Sequence, residues 1–176
     1  MSDFLLYRTT GAVAFKDEDK PSGDTVRYGE YVLRHFGRGF SRAGDTGIYI
    51  GGYLLPRNDL FQQYGAMGRH DLVASLYASY GKSFTDHVKG CFIVIIMKED
   101  RVEIFFDHLG LFRAFYYSAG GRFLMAGTVS RLKEAGVSSG PDRVSLAMQA
   151  LFHRVPGHFT VYSDISKNGP ADYFRL

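Results

Sequence analysis

The sequence is poor in cysteine and has no tryptophan. Cys91 is the only cysteine among 176 residues, so neither an internal disulfide nor a metal cage built from cysteines can form. No apolar stretch approaches the roughly 18 residues that a membrane-spanning helix needs. The segment Met1 to Tyr7 has no basic start followed by a long apolar run. These absences predict a soluble, cytoplasmic protein without membrane partners.

Neither sign of charge dominates the sequence. The chain carries 21 Lys and Arg against 18 Asp and Glu, a formal net charge of +3. The densest basic stretch, Arg34 to Arg42, follows neither a helical nor a strand period, so a solvated loop is favoured over a phosphate-binding loop. Because His70 and His87 have no carboxylates at ligand spacing, no metal site is predicted. Nucleic-acid partners are not predicted either.

Aromatic residues and glycine are abundant. Apolar residues make up 45 % of the chain, which has 15 Phe, 12 Tyr and 21 Gly. This composition is typical of a globular protein rich in sheet and turns. The length fits a single domain over residues 1–176.

Hydrophobic patterns predict strands and helices in a defined order. A helix is predicted over Leu72 to Tyr80, ending at Gly81. A short helical turn follows from Ser83 to Val88, with a break at Gly90, and a second helix starts after Asp142. The predicted strands are Gly11 to Phe15, Arg27 to Phe36, Gly47 to Leu55, Cys91 to Met97, Val102 to Phe106, and a hairpin of Ala114 to Tyr117 with Arg122 to Ala126. The order predicts a layered α+β domain.

Four segments together resemble a known family. In Asp107 to Tyr116 the family's aspartate, glycine and tyrosine stand at Asp107, Gly110 and Tyr116, while Arg113 replaces the usual proline. The other matching segments are Leu72 to Phe92, Phe123 to Leu132 and Thr160 to Ile165, followed by Pro170-Ala171 in place of Pro-Gly. In this order the segments resemble the class II glutamine amidotransferase domain of asparagine synthetases.

The resemblance implies a fold and a chemistry. The fold is a four-layer αββα sandwich of the N-terminal-nucleophile type, with two mostly antiparallel sheets between helices. An N-terminal cysteine attacks the glutamine amide, and its own α-amine takes the proton. A second domain then uses ATP and magnesium to activate a carboxylate. That domain's ATP-binding loop is absent here, so no cofactor is expected in this chain. The implied partner is a synthetase domain, in cis or in trans.

The nucleophile departs from the family pattern. No cysteine precedes Cys91. The segment Thr10 to Phe15 best resembles the family's first strand, which places Thr10 at the nucleophile position. Thr10 would need a free amine, and therefore cleavage after Thr9. Ser2 lies further upstream and is the poorer candidate. Cys91 itself is predicted to be a buried, unreactive core residue.

The substrate-binding positions also depart from the family pattern. The family's Asn-Gly-Glu segment, which surrounds the glutamine, corresponds to Ile50, Gly51 and Gly52. Arg69 stands where an aspartate binds the substrate's ammonium group, so the charge is reversed. We therefore expect no intact catalytic set.

Three functional interpretations remain open. The first is a scaffold domain without glutaminase activity in an asparagine-synthetase-like, amide-forming ligase. The second is a stand-alone protein-binding module with the same fold. The third is an N-terminal-nucleophile hydrolase processed at Thr10. An apolar partner surface, also usable for a homo-oligomer, is predicted to include Phe112, Phe115, Phe152 and Phe159.

Overall fold

The computed structural model describes residues 3–9, 23–37, 39–56, 58–65 and 67–176, without the side chains of Pro56 and Asn58. The predicted strand Gly11 to Phe15 lies outside the described residues, and so does Thr10. The helices are α1 Asn58–Gln63, α2 Arg69–Tyr80, α3 Val129–Glu134 and α4 Arg143–Phe152, with a 3₁₀ helix at Gly81–His87. The strands are β1 Phe4–Arg8, β2 Asp24–Tyr28, β3 Tyr31–His35, β4 Phe40–Ala43, β5 Thr46–Pro56, β6 Val88–Met97, β7 Val102–Phe106, β8 Phe115–Ala119, β9 Arg122–Ala126, β10 Ser166–Lys167 and β11 Tyr173–Arg175.

The chain forms two compact units, each with one antiparallel sheet. The first unit comprises Gly37–Phe112 and Pro170–Leu176, and the second comprises Asp3–Phe36 and Arg113–Gly169. The described strands of the first unit have the order β11-β7-β6-β5-β4. Those of the second unit have the order β10-β8-β9-β1-β3-β2. The prediction of a single domain over the whole chain stays a prediction.

Helix α2 packs on one face of the first sheet because its apolar residues recur at helical spacing. Leu72, Val73 and Leu76 are buried against alternate residues of β5 and β6. The helix ends at Gly81, whose φ of 56° suits a residue without Cβ. The predicted helix is confirmed. The apolar core that it shares with the sheet includes Ile48, Ile50, Leu54, Phe92, Val94 and Ile96.

Strand β1 is central in the second sheet, and the sequence patterns did not predict it. It pairs with β3 from Phe4↔His35 to Arg8↔Tyr31, and with β9 on its other side. A continuously apolar strand is typical of a position that is covered on both faces. Phe4 and Leu6 are fully buried. The short run Phe4 to Tyr7 therefore carried a strand signal despite its lack of alternation.

Three predicted boundaries are wrong for identifiable reasons. The run Arg27 to Phe36 is a hairpin of β2 and β3, because Gly29, at φ 52°, turns the chain. Gly90 does not break the chain but lies inside β6, paired with Leu54. The short helix begins at Gly81, not at Ser83, and ends at His87.

Helix α4 was predicted with an apolar face on Val144, Ala147, Met148 and Leu151. The helix is confirmed, and its N-cap Asp142 accepts a hydrogen bond from the Ser145 N–H at 2.7 Å. Its apolar face is largely exposed: Val144 is 64 % and Leu151 is 73 % accessible. In the part of the chain that the structure describes, no helix is long and apolar enough to cross a membrane.

A buried carboxylate joins helix α2 to two strands of the first sheet. Glu103 on β7 accepts hydrogen bonds from the Tyr77 hydroxyl of α2 and, at 2.6 Å, from the Tyr173 hydroxyl of β11. The Arg101 Nε lies 3.5 Å from the same carboxylate. Burial alone raises the pKa of Glu103, but these donors and the cation outweigh burial and lower the pKa from its ordinary value of 4.5.

We expect Glu103→Gln to destabilise the protein by roughly 2 kcal/mol at pH 7, because charge-assisted hydrogen bonds are lost. Because the pKa is lower in the folded state, the ionised Glu103 stabilises the fold above the unfolded-state pKa. That stabilisation is lost as the pH falls through the folded-state pKa. Urea unfolding at pH 7 and pH 3 measures it, and the difference between the two proteins should shrink at pH 3. The exposed Glu99→Gln is the control; an equal effect of Glu103→Gln at both pH values would contradict the assignment.

Candidate functional site

The stretch Ile50, Gly51 and Gly52 lies in the middle of β5, next to β6. Ile50 is buried in the helix-facing core of the first unit. Gly52 has a φ of 83°, and a Cβ at this position would lie 2.1 Å from the Cys91 carbonyl oxygen. The glutamate that the family carries at this position therefore does not fit the backbone of this chain.

The ring of Phe112 lies on Gly51 and Gly52, which together form the glycine pair. A Cβ at Gly51 would be 3.1 Å from the Phe112 Cζ, and a Cβ at Gly52 would be 3.0 Å from its Cδ2. Gly51 is buried, and the Ile93 side chain closes it from the neighbouring strand. The space above the two glycines is therefore filled by an aromatic side chain of the chain itself.

A buried carboxylate determines the position of Phe112. Asp107 is 1 % exposed. Its Oδ2 accepts from the Phe112 N–H at 2.8 Å and its Oδ1 accepts from the Leu111 N–H at 2.9 Å. The same carboxylate accepts hydrogen bonds from the N–H groups of Leu109 and Phe92. Gly110, at φ 63°, allows the tight turn between these donors. Asp107 thus shapes a loop.

Arg69 is the first residue of α2 and is exposed. The next residue, His70, contacts the Gly39 carbonyl oxygen through Nε2 at 2.9 Å. The same oxygen accepts the Ile50 N–H at 2.7 Å. The Gly39 carbonyl oxygen therefore joins the start of α2 to strand β5.

Cys91 lies on β6 opposite Tyr53 of β5, beside the glycine pair. It is half-buried, so the prediction of a fully buried core cysteine is wrong. Burial raises the pKa of the thiol, and the negative charge of Asp107 raises it further. The thiol is therefore mostly protonated at neutral pH and is a weak nucleophile.

Other predicted features of the site have different outcomes. Thr10 lies outside the described residues. Phe112 was predicted only as part of an apolar surface, and its contact with the glycine pair was missed because nothing in the sequence pairs residues so far apart. Among the described residues, no group of three or more His, Cys, Asp or Glu could hold a metal ion.

These features accompany a family match over most of the chain. Residues 58–176 match the model of the family described as "Glutamine amidotransferase domain", so the chain belongs to that family. Together with the structural likeness below, the match defines a class II glutamine amidotransferase domain. A search of curated proteins finds no match to this chain.

Two solved structures are similar in fold. Glutamine phosphoribosylpyrophosphate amidotransferase from B. subtilis, complexed with ADP and GMP, has 16 % identity and a TM-score of 0.51, covering 64 % of this chain and 31 % of that chain. A structure described as the allosteric regulatory enzyme of purine biosynthesis has 15 % identity and a TM-score of 0.50, covering 76 % and 37 %. This chain thus spans about a third of each relative. The predicted α+β, N-terminal-nucleophile-hydrolase-like fold class, with two antiparallel sheets and helices, is confirmed.

The raised pKa of Cys91 leads to a labelling prediction. At pH 7 we expect a maleimide to react with the native protein about tenfold more slowly, or slower still, than with the protein in guanidinium chloride. The native rate should rise as the pH approaches the raised pKa, because the thiolate is the reactive form. Native labelling as fast as that of the unfolded chain would contradict both the burial and the pKa direction.

Proposed function

We propose that this chain is the amidotransferase-type domain of an asparagine-synthetase-like, ATP-dependent, amide-forming ligase, and that it serves as a scaffold without hydrolysing glutamine. Its membership of the glutamine amidotransferase family supports the first part. The segment Asp107 to Tyr116 favours the asparagine-synthetase branch. ATP and magnesium then belong to a synthetase partner, in cis or in trans, and the assembly works in the cytoplasm.

The observation that carries the loss of glutaminase activity is the position of Phe112. Its ring fills the space above Gly51 and Gly52, where the resemblance places groups that surround the substrate. Moving the ring away would open an apolar cavity and require the loop that Asp107 holds to rearrange. A glutamine side chain thus cannot occupy the space over Gly51 that the Phe112 ring takes.

Charge supports the same proposal. Arg69 occupies the position that the resemblance assigns to the carboxylate partner of the substrate's ammonium group. Asp71, two residues further on, does not replace it, since the resemblance assigns the family's glutamate to that position. A cation facing an ammonium group repels it, most strongly where little water screens the charges.

The position of β1 disfavours the processed hydrolase. Cleavage after Thr9 would separate β1 from the rest of the chain, although β1 lies between β3 and β9. Burial of Phe4, Leu5 and Leu6 contributes roughly 1.5–3 kcal/mol for each side chain. The Thr9 N–H also donates to the Glu30 carbonyl oxygen at 2.7 Å. These contacts favour an uncut chain, without a free amine at Thr10.

The stand-alone binding module remains the second candidate because of helix α4. Its exposed Leu151 and Phe152 are 73 % and 66 % accessible, and Phe159 is 66 % accessible. Of the four aromatics predicted for a partner surface, Phe152 and Phe159 are exposed, whereas Phe112 and Phe115 are partly buried. Exposed apolar side chains of this size suit a protein partner in either interpretation.

We expect the purified chain to release no ammonia from glutamine above the background of a heat-denatured sample. The thiol, the oxyanion asparagine and the ammonium-binding aspartate of the family are all replaced. Thr10→Ala and Ser2→Ala should leave that background unchanged, and intact mass should show no cleavage after Thr9. Turnover that disappears in either variant would overturn the proposal, and loss in Thr10→Ala alone would favour the processed hydrolase.

The partner is tested by sedimentation. We expect the chain to form a heavier species with an asparagine-synthetase-like ATP-using domain. Leu151→Ser and Phe152→Ser should weaken that species about tenfold, because each removes a large exposed apolar contact. The neighbouring polar Gln149→Ser is the matched control. A strict monomer that ignores the synthetase domain would favour the stand-alone module, whereas self-association lost in the two variants would point to a homo-oligomer.

A further inference from the structure

A cavity in the first unit has no role in the proposed function. It has a volume of about 260 Å³ and lies among the 3₁₀ helix Gly81–His87, the end of β7 and the start of β11. Its lining residues include none of those around the glycine pair. At this size, on the small side for ligand pockets, it suits a molecule smaller than a typical drug.

Aromatic rings form the apolar part of the cavity. Phe105 and Tyr173 both line it, with ring centroids 5.0 Å apart and planes tilted by 40°. The Tyr173 hydroxyl donates a hydrogen bond to the Glu103 carboxylate, and this bond fixes the orientation of the ring. Burial and the hydrogen bond to Glu103 together raise the pKa of Tyr173 to about 12, so this ring stays neutral at physiological pH. Tyr173 is 40 % exposed and Phe105 only 3 %, so the Tyr173 ring provides the apolar surface that a ligand can reach, and Phe105 supports it from the core.

Two opposite charges lie on the cavity wall contributed by the 3₁₀ helix. Lys82 and Asp86 both line the cavity and are exposed. Within the described residues no ion pair joins them, since side chains four apart on a 3₁₀ helix point in different directions. Asp86 has only a long contact of 3.9 Å to His108 Nε2. Both charges are therefore available to a ligand.

His108 adds an imidazole ring to the cavity wall. Its Nε2 lies 3.0 Å from the Thr85 carbonyl oxygen, which can only accept, so Nε2 carries the proton. In the neutral ring, Nδ1 then keeps its lone pair. The cavity wall thus holds two carboxylates, Asp86 and Asp172, one cation, Lys82, and the His108 imidazole beside the Tyr173 ring.

We propose that this cavity binds a free α-amino acid with an apolar or aromatic side chain. Asp86 pairs with the ligand's ammonium group, Lys82 pairs with its carboxylate, and the side chain packs on the Tyr173 ring. A purely anionic ligand would pair with Lys82 but be repelled by Asp86 and Asp172, and a purely cationic ligand would be repelled by Lys82. The inference does not depend on the proposed scaffold function.

Titration calorimetry with the full chain tests the proposal. We expect L-phenylalanine to bind with a dissociation constant on the order of a millimolar, since the ligand is small and the site is open. N-acetyl-phenylalanine lacks the ammonium group and phenylalanine amide lacks the carboxylate. Each should bind about tenfold more weakly.

Variants locate the site. Asp86→Asn and Lys82→Met should each weaken phenylalanine binding about tenfold, while thermal melting stays near that of the parent protein. Glu99→Gln, an exposed charge outside the cavity, should change nothing. Absence of saturable binding, equal binding of phenylalanine and its two derivatives, or insensitivity to Asp86→Asn would each overturn the proposal. Binding that is lost in Phe112→Ala but kept in Asp86→Asn would also overturn it, because it would place the ligand at the glycine pair.

Discussion

The buried carboxylate of Asp107 is the interaction on which the candidate site depends. It accepts four backbone N–H groups, from Phe92 on the neighbouring strand and from Leu109, Leu111 and Phe112 in its own loop. A carboxylate is suited to this because its two oxygens have lone pairs for about four donors and no proton of their own. The Asp107 carbonyl oxygen also accepts from the Ala171 N–H, which fixes the chain entering β11. The side chain of Asp107 therefore positions the ring above the glycine pair, and its backbone carbonyl group holds the start of the last strand.

Backbone geometry explains why glycine stands at position 52, in the stretch of β5 that the resemblance assigns to substrate binding. Gly52 and Gly90 both have positive φ, and a Cβ at either would lie little more than 2 Å from a carbonyl oxygen of the opposite strand. The two glycines therefore allow β5 and β6 to approach closely where Phe112 covers them. Introducing a glutamate at Gly52 would strain φ and collide with the Cys91 carbonyl group. A single substitution is thus not expected to rebuild the family's substrate segment.

Much of the fold could be predicted because its signals are local. Helix α2 has regular apolar spacing and a glycine at its end, and the hairpin of β8 and β9 has Gly120 and Gly121 at positive φ. The β2–β3 hairpin was missed because Gly29 was the only turn signal inside a strand-like run. The site was less predictable: the contact of Phe112 with Gly51 and Gly52 joins residues about sixty positions apart, and no local pattern encodes it. The half-burial of Cys91 likewise depends on which neighbours cover the end of β6, not on the apolar run itself.

The distribution of matches and departures supports a scaffold more than a hydrolase. Asp107 and Gly110, which match the family's block, are the residues that fix the loop. Ile50, Gly52 and Arg69, which depart from the family, stand at positions to which the resemblance assigns substrate contacts. Loss of a substrate-binding group leaves folding intact, whereas loss of Asp107 would leave four buried or partly buried N–H groups without their acceptor, at a cost of about 1–3 kcal/mol for each that stays unpaired. Such a constraint lets a domain keep its shape without its chemistry, and a stable shape is what the proposed scaffold has to provide.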